Sequence, residues 1–532
     1  MKIMKPAQIF RIWASALVLL AAAGVQAAGP WYVATNGLDS NAGTSWAVPY
    51  LTISNALTNA SASDTIWVSN GVYTLSTTVN NPADKKCLIR AWSTNPADTV
   101  LLGHGSNSPP DGINFRGVLM YGSGSLLQGF TVTNFYLTNS NYGAGVYCDA
   151  GLISNCVIAG NILLHSSAWG GGGGVNLANG AVIENCSIIG NRVHPGSYGS
   201  GGGGIKMDGS NGRISNCRIV GNRVTVISGG GPTCGAGVFA GYYGGFVIQD
   251  SVIASNTGST YGGGIQISGG IVSNCQVFAN SADTAAGIYF TAESDWYGTG
   301  KAYVRIERCV ISNNVALNYY GGWRIVGNPI TNVLISQCAI VSNYCSGRAT
   351  GGGLHVANLS NVWIRSCLVA YNWGHNGWGE SGYGGCGLAI FATNALIENC
   401  TIVSNRLTGS GSPQGAGLWA TNGVRVVNSI IYHNTGATMS NFYAFADCTF
   451  SNNCTAPLPS LGTANTDANP QLVAKDTGNF RLAANSPCIN TGINQEWMTG
   501  AVDLDGRKRI RYGIVDMGAY ERIHSGTIYG FR

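Results

Sequence analysis

The chain has 532 residues, 28 Lys and Arg against 23 Asp and Glu, and only 10% charged residues, so its charge balance selects neither nucleic acid nor an anionic membrane as partner. Such a length would ordinarily divide into several domains. Gly supplies 78 residues and recurs in a repeating pattern, which makes the chain one elongated body with distinct ends.

In chain order, residues 1–28 come first: basic Lys2, Lys5 and Arg11, an apolar run over 12–25, and small residues ending at Ala27 and Ala28. This is the pattern of a secretory signal peptide. The expectation is export to the medium or the cell envelope. Removing the three basic residues leaves 25 basic against 23 acidic ones, a net charge of +2. No Cys precedes Cys87, which argues against a lipid anchor on a mature N-terminal Cys. No later apolar run is long enough to span a bilayer as a helix.

Residues 29–120 read as an N-terminal cap with the first coils, and within them 51–59 as a short amphipathic helix. A helix laid across the end of a sheet covers its unpaired edges.

Residues 121–455 carry the repeat. One unit begins Gly172-Gly-Gly-Val, and its second half reads aliphatic-x-Asn-Cys-x-aliphatic-x-x-Asn. That phrase recurs at 153–161, 183–191, 214–222, 272–280, 335–343 and 397–405, with looser copies at 248–256, 306–314, 364–372 and 426–434. Cysteines 156, 186, 217, 275, 309, 338, 367 and 400 follow a period of about 30 residues, with Ser251 filling one slot. The apolar residues alternate in short runs broken by Gly and Asn, so the elements are strands. One repeat cannot bury its own apolar face, so repeats must stack about 4.8 Å apart. The predicted fold is all-β, a right-handed parallel β-helix with an N-terminal cap.

Stacked Asn side chains can hydrogen-bond from coil to coil, and Asn tolerates a left-handed bend. Phe130, Ser251 and Ser429 replace Cys in its row, so that slot takes a small or apolar inward group. In-register cysteines have parallel Cβ vectors, poor geometry for a bridge. The off-row Cys87, Cys148, Cys234, Cys345, Cys386, Cys454 and Cys488 are the disulfide candidates.

From 456 to 532 the rhythm fails, with Pro457, Pro459, Pro470 and Pro487 breaking the strands, and a separate C-terminal segment is expected. It contains Asn479-Phe-Arg-Leu, Ser486-Pro-Cys-Ile-Asn, Asp503-Leu-Asp-Gly and Val515-Asp-Met-Gly-Ala-Tyr-Glu. This segment resembles the choice-of-anchor Q domain, which implies a secreted or cell-envelope setting. The opening Trp31-Tyr-Val-Ala-Thr-Asn-Gly, Pro49-Tyr-Leu-Thr-Ile and Asp64-Thr-Ile-Trp-Val resemble exported β-helix proteins of the pectin-lyase-like superfamily. The Gly202-Gly-Gly-Ile and Cys217-Arg-Ile-Val-Gly-Asn words are similar to repeats of polymorphic outer-membrane adhesins, which favour Phe where Cys stands here.

Loops of uneven length stack at one corner and make a wall that includes Arg348, Trp373, His375, Trp378, Glu380 and Tyr383. Beside it, alternation sends Tyr147, Asn176, Lys206, Phe239, Gln266, Tyr289, Arg324, His355 and Trp419 outward in one vertical file. Aromatics, amides and cations along an elongated face suit a polysaccharide or cell-surface glycan. An ordinary solvent-facing sheet with stabilising aromatic ladders would look similar. The expected binding residues are Tyr147, Lys206, Phe239, Tyr289, Trp373, Trp378, Glu380, Tyr383 and Trp419.

The pectin-lyase-like resemblance implies catalysis on this face, but the family's motifs fail one by one. Arg365 and Ser366 stand where a pectate lyase strand has Asp and His, and the calcium-binding acids have no counterpart. Gly103-His-Gly lacks the paired aspartates of polygalacturonases, and acids are too sparse on the wall for the two carboxylates of a glycoside hydrolase. A β-elimination needs only a cation for the uronate and a base for the α-proton. Arg324, Arg348, His355 and His375, on consecutive coils, are the catalytic candidates. The first reading is an exported glycan-binding protein, adhesin-like and monomeric, with no cofactor. The alternatives are a polysaccharide lyase, for which alone calcium enters, or glycoside hydrolase, and a passive surface protein.

Overall fold

The computed structural model describes residues 29–104, 114–138, 142–165, 170–195, 201–225, 233–241, 244–258, 260–292, 303–327, 331–347, 351–376, 384–409 and 414–523. The signal-peptide reading of 1–28 therefore lies outside the described residues. The chain is a parallel β-solenoid of about ten turns. One coil shows the plan: first strand Val175–Ala178, second strand Val182–Glu184, third strand Ser187–Ile189 and fourth strand Arg192–Pro195. First and second strands stack into one continuous sheet, third strands into another, and fourth strands into two shorter blocks.

The sequence word explains the coil. Val175, Leu177, Ile183, Cys186 and Ile188 point inward and are buried in a core that runs from Val33 to Phe450. Two kinds of Asn mark two corners. Asn155, Asn185, Asn216, Asn274 and Asn399, between second and third strands, adopt φ of +47° to +55°, the left-handed region that Asn enters at low cost. Some of these join neighbouring coils near the surface, as Asn216 Nδ2 does to Asn185 Oδ1 at 2.6 Å.

The Asn that closes the word is buried and does something different. Asn280 donates its backbone N–H and its side-chain N–H to Asn314 Oδ1, at 3.1 and 3.0 Å, and a second N–H to Ile253 O at 3.0 Å. Its own Oδ1 accepts the same pair from Asn256. The pattern repeats from Asn161 through Asn191, Asn222, Asn343, Asn372 and Asn405 to Asn434. The Cys row makes a parallel ladder: Cys217 N donates to Ser251 Oγ at 3.1 Å, and Cys400 N to Ser429 Oγ at 3.1 Å, so Ser fills the slot by accepting the same bond.

At the N-terminus, the helix Ile53–Asn59 buries Ile53, Ala56 and Leu57 against the first coil, with Thr52 as its N-cap. At the other end, the chain after Thr455 turns back along the coils. Phe480, Leu482, Cys488, Met517, Ala519 and Tyr520 cover the outer face of the third sheet at Leu368, Ala370, Val403, Ile430 and Cys454. The buried Arg509 donates to Glu521 Oε1 (2.9 Å), Ser366 Oγ (3.2 Å), Asn399 O (3.1 Å) and Gly518 O (2.8 Å). A buried guanidinium is tolerable only when its charge and donors are met in this way.

All sixteen cysteines are free and buried, including the seven off-row disulfide candidates. Two of the off-row thiols donate to local carbonyls: Cys386 to Asn372 O at 3.2 Å and Cys454 to Ala468 O at 3.1 Å. Burial pushes the Cys148, Cys217 and Cys345 thiols up to about 12.

Two outcomes follow. Asn280→Ala leaves Asn256 N, Ile253 O and Asn314 Oδ1 short of a bond and should destabilise the chain by about 3–4 kcal/mol in denaturant unfolding. An aromatic disulfide reagent should titrate no thiol in the native protein and sixteen after denaturation without reductant; each disulfide would remove two.

Candidate functional site

Glycine shapes the site. Gly172, at φ +77°, turns the returning chain sharply into the first strand, and a Cβ there would meet Val175 O at 2.4 Å. The bend sets the outward residue of each first strand against the backbone that precedes it. A Cβ on Gly351 would sit 2.6 Å from His355 Cβ, and one on Gly384, in the coil before, would sit 2.6 Å from Trp419 Cε3. The outward file thus occupies a notch.

The register confirms the vertical order: Tyr147, Asn176, Lys206, Phe239, Gln266, Tyr289, Arg324 and His355 are paired one to the next. Ala389, Trp419 and Tyr443 continue it. From Tyr147 to Trp419 the file is about 43 Å long. One expectation changes. Asn176, Lys206, Phe239, Gln266, Tyr289, His355 and Trp419 are buried, and only Tyr147 and Arg324 are part-exposed, so this row is no ordinary solvent-facing strip.

Within the notch the side chains form a connected stack. Lys206 pairs with Asp208 at 3.0 Å and lies over the Tyr142 ring, while Asn176 donates to Asp208 at 2.6 Å. Tyr261 stacks on Tyr289, and Arg324 lies over Tyr320 and Tyr289. Tyr320 meets His355 at 4.2 Å, followed by Phe391, Trp419 and Tyr443. The sequence reading missed Phe391 and Tyr443. A step of two along the strand from Ala389, and one coil on from Trp419, would have found them.

Five buried polar atoms of this one file have no hydrogen-bond partner among the described residues: Asn176 Oδ1, Gln266 Oε1, Arg324 Nε, His355 Nδ1 and Trp419 Nε1. A buried unsatisfied group costs about 1–3 kcal/mol, so five in line are costly unless something else meets them.

The three catalytic candidates among the described residues, Arg324, His355 and His375, do not converge. Arg324 and His355 are register neighbours. His375 is on a fourth strand, exposed, with Nδ1 3.2 Å from Thr408 Oγ1. On the next strand Leu407, beside Thr408, faces the buried cluster of Cys386 and Ala416. Alternation therefore puts Thr408 and its partner His375 on the other side of that sheet, away from His355. Trp373 shares this outer side, its Nε1 3.3 Å from Thr408 Oγ1 and its ring 4.6 Å from Tyr344. Arg348, Trp378, Glu380 and Tyr383 lie outside the described residues. Among the described residues no group of three His, Cys, Asp or Glu is placed to hold a metal ion, and no helix is long and apolar enough to cross a membrane.

Burial first, and Arg324 second, hold the His355 pKa well below the usual histidine value. The rings of Tyr320 and Phe391 lie against it, and neither brings a counter-charge. The unfolded chain then binds the extra proton first as pH falls, so stability is retained above about pH 6.5 and lost below it. The slope contributed by one such group is about 1.4 kcal/mol per pH unit. His355→Phe should flatten this acid-side slope in denaturant titrations between pH 4 and 7.

Comparison with known proteins adds the following. The family model for the right-handed β-helix region matches residues 106–328 and 295–466. No curated protein matches. Among solved structures, pectate lyase Pel9A is 17% identical over 94% of this chain and 98% of its own, with a TM-score of 0.31. The Dettilon tailspike protein is 14% identical over 71% of this chain and 64% of its own, with a TM-score of 0.35. The A-module of the Azotobacter vinelandii mannuronan C-5 epimerase AlgE6 is 12% identical over 76% and 94%, with a TM-score of 0.32. The family model spans more than half of the sequence, and its match agrees with the stacked parallel coils: the chain belongs to the right-handed β-helix family.

Proposed function

We propose that this is an exported or cell-surface protein that binds a glycan along the first-strand notch and the wall beside it, as an adhesin does. One observation carries the reading: five buried polar atoms without partners stand in a single file, interleaved with aromatic rings and cations. Once the side chains of the notch swing aside, a chain of sugars offers hydroxyls to such atoms and C–H faces to such rings, at intervals along one line. Export is supported by the basic, apolar and small-residue order of residues 1–28.

A polysaccharide lyase is the second reading, and the adjacency of Arg324 and His355 favours it. A neutral, buried imidazole beside a guanidinium pairs a proton acceptor with a partner for a uronate. His375 has no part in that pair.

Affinity electrophoresis through gels containing uronate or neutral polysaccharides tests the first reading. Trp419→Ala should weaken retention about tenfold, as should Gln266→Leu, which keeps the volume and removes the orphaned oxygen, with the thermal midpoint of each variant measured alongside. Retention unchanged in both well-folded variants would remove the notch from the proposal. Absorbance of unsaturated ends, followed with and without calcium, tests the second: any release that His355→Phe abolishes makes the protein a lyase. Neither retention nor release would leave a passive surface protein.

A further inference from the structure

We infer that a second, separate sugar site lies on the outer face of the second-strand row at the N-terminal end, built by Tyr32, Trp46, Trp67, Trp92 and Arg90. Tyr32, Trp67, Arg90 and Gln128 are consecutive in register on four successive coils. Strand alternation turns Leu88, Arg90 and Trp92 to the same outer face, while Ile89 and Ala91 enter the core. The rings are held rather than loose. Trp46 meets Tyr32 edge-on at 4.7 Å, and Trp92 meets Trp46 at 5.3 Å and Trp67 at 5.5 Å, at interplanar angles of 68°, 78° and 80°. Yet Trp92 remains 58% exposed and Trp46 38% exposed, and no indole of the three belongs to the buried core.

Fixed indoles at right angles, left in solvent, present apolar faces without reorganisation on binding. Their surroundings decide the ligand. Arg90 donates to Gln128 Oε1, and Ser93, Asn95 and Asp98 form a hydrogen-bonded rim beside Trp92. On the other side of Arg90 lies a shallow hollow of about 400 Å³, lined by Leu88, Leu126, Leu152, Val182, Ser125 and Glu184. From Trp92 to Leu88 is about 13 Å along the strand, room for more than one ring of a short chain. The local charges nearly cancel, Arg90 with Lys86 and Arg213 at the edge of the hollow against Asp98 and Glu184, so a polyanion, a nucleic acid or an anionic lipid surface meets no concentrated positive field. A protein partner of stable size would bury about 1,200 Å² or more, whereas the exposed apolar surface here is two indoles with Val48, bordered by Thr44, Ser45, Ser93 and Asn95. A neutral pyranose oligosaccharide fits: C–H faces on the indoles, hydroxyls to the Arg90–Gln128 pair and the polar rim.

The site stands on a different face from the first-strand notch and fails or holds independently of it. The test is oxidation of exposed indoles by N-bromosuccinimide, read peptide by peptide in a mass spectrometer. It uses the whole protein alone and with hexasaccharides of neutral glucan, xylan, mannan and galactan, with hexagalacturonate, and with neutral and anionic phospholipid vesicles. At least one neutral hexasaccharide should slow oxidation of Trp46 and Trp92 threefold or more. Trp46→Ala/Trp92→Ala should lower affinity for that hexasaccharide at least tenfold, and Trp419→Ala should leave the protection in place. No protection by any neutral sugar, equal or better protection by hexagalacturonate, protection by vesicles alone, or unchanged affinity in the double variant would overturn the inference.

Discussion

Everything in this molecule depends on the buried asparagine ladder at the corner after the third strand. Parallel sheets satisfy backbone groups within the strands, but every coil must also turn, and at each turn buried amides lose their strand partners. One Asn per coil meets both needs. Its oxygen takes the backbone and side-chain N–H of the coil before it, and its own donors reach the coil after it and a third-strand carbonyl. The period of the solenoid is therefore enforced by hydrogen bonds as well as by apolar stacking. Loops of any length can be inserted at the neighbouring corner without disturbing that period.

The notch is a consequence of that ladder meeting a row of glycines. Once the ladder fixes the corner, the chain that returns from the fourth strand has to bend within two residues into the next first strand. At Gly172, Gly202 and Gly262 only a residue without Cβ can make the bend, because the backbone oxygen three residues on lies within 2.6 Å of where a Cβ would be. The outward side chains of the first strands are then pressed against that returning chain. Burial of Lys206 and His355 in a nominally outer row has this cause, and so do the unpartnered polar atoms beside them.

The two ends solve different problems. At the N-terminus the helix Ile53–Asn59 closes the core, and apolar rings are left over on the outer second-strand face. At the C-terminus residues 461–466 pair with the open edge of the last coil, and the chain after them covers a flank. Third-strand outward positions that hold Ser187, Arg218 and Gln276 in earlier coils become Leu368 and Ile430 where Phe480, Met517 and Tyr520 lie on them. Arg509 fastens the segment by meeting the Ser366 hydroxyl and the Asn399 carbonyl at the corner between second and third strands of two successive coils.

The strands, their inward residues, the Asn and Cys rows and the vertical file from Tyr147 to Trp419 were all legible in the sequence, because a parallel stack converts a period along the chain directly into contacts between coils. The capping helix was legible too, from its amphipathic spacing over 51–59. Other features were decided only in three dimensions. The split of the Asn residues into left-handed corners and a buried ladder depends on which side of the third strand each stands, and the repeat word spells both alike. His375 shares a coil with His355 but stands on its fourth strand, facing the other side of a sheet, since a face is set by the path of the whole coil. The off-row cysteines are free thiols, which no period along the chain decides. The return of the last segment onto the third sheet depends on Arg509 finding partners more than a hundred residues away, as with Asn399 and Ser366, a distance along the chain that no local pattern records.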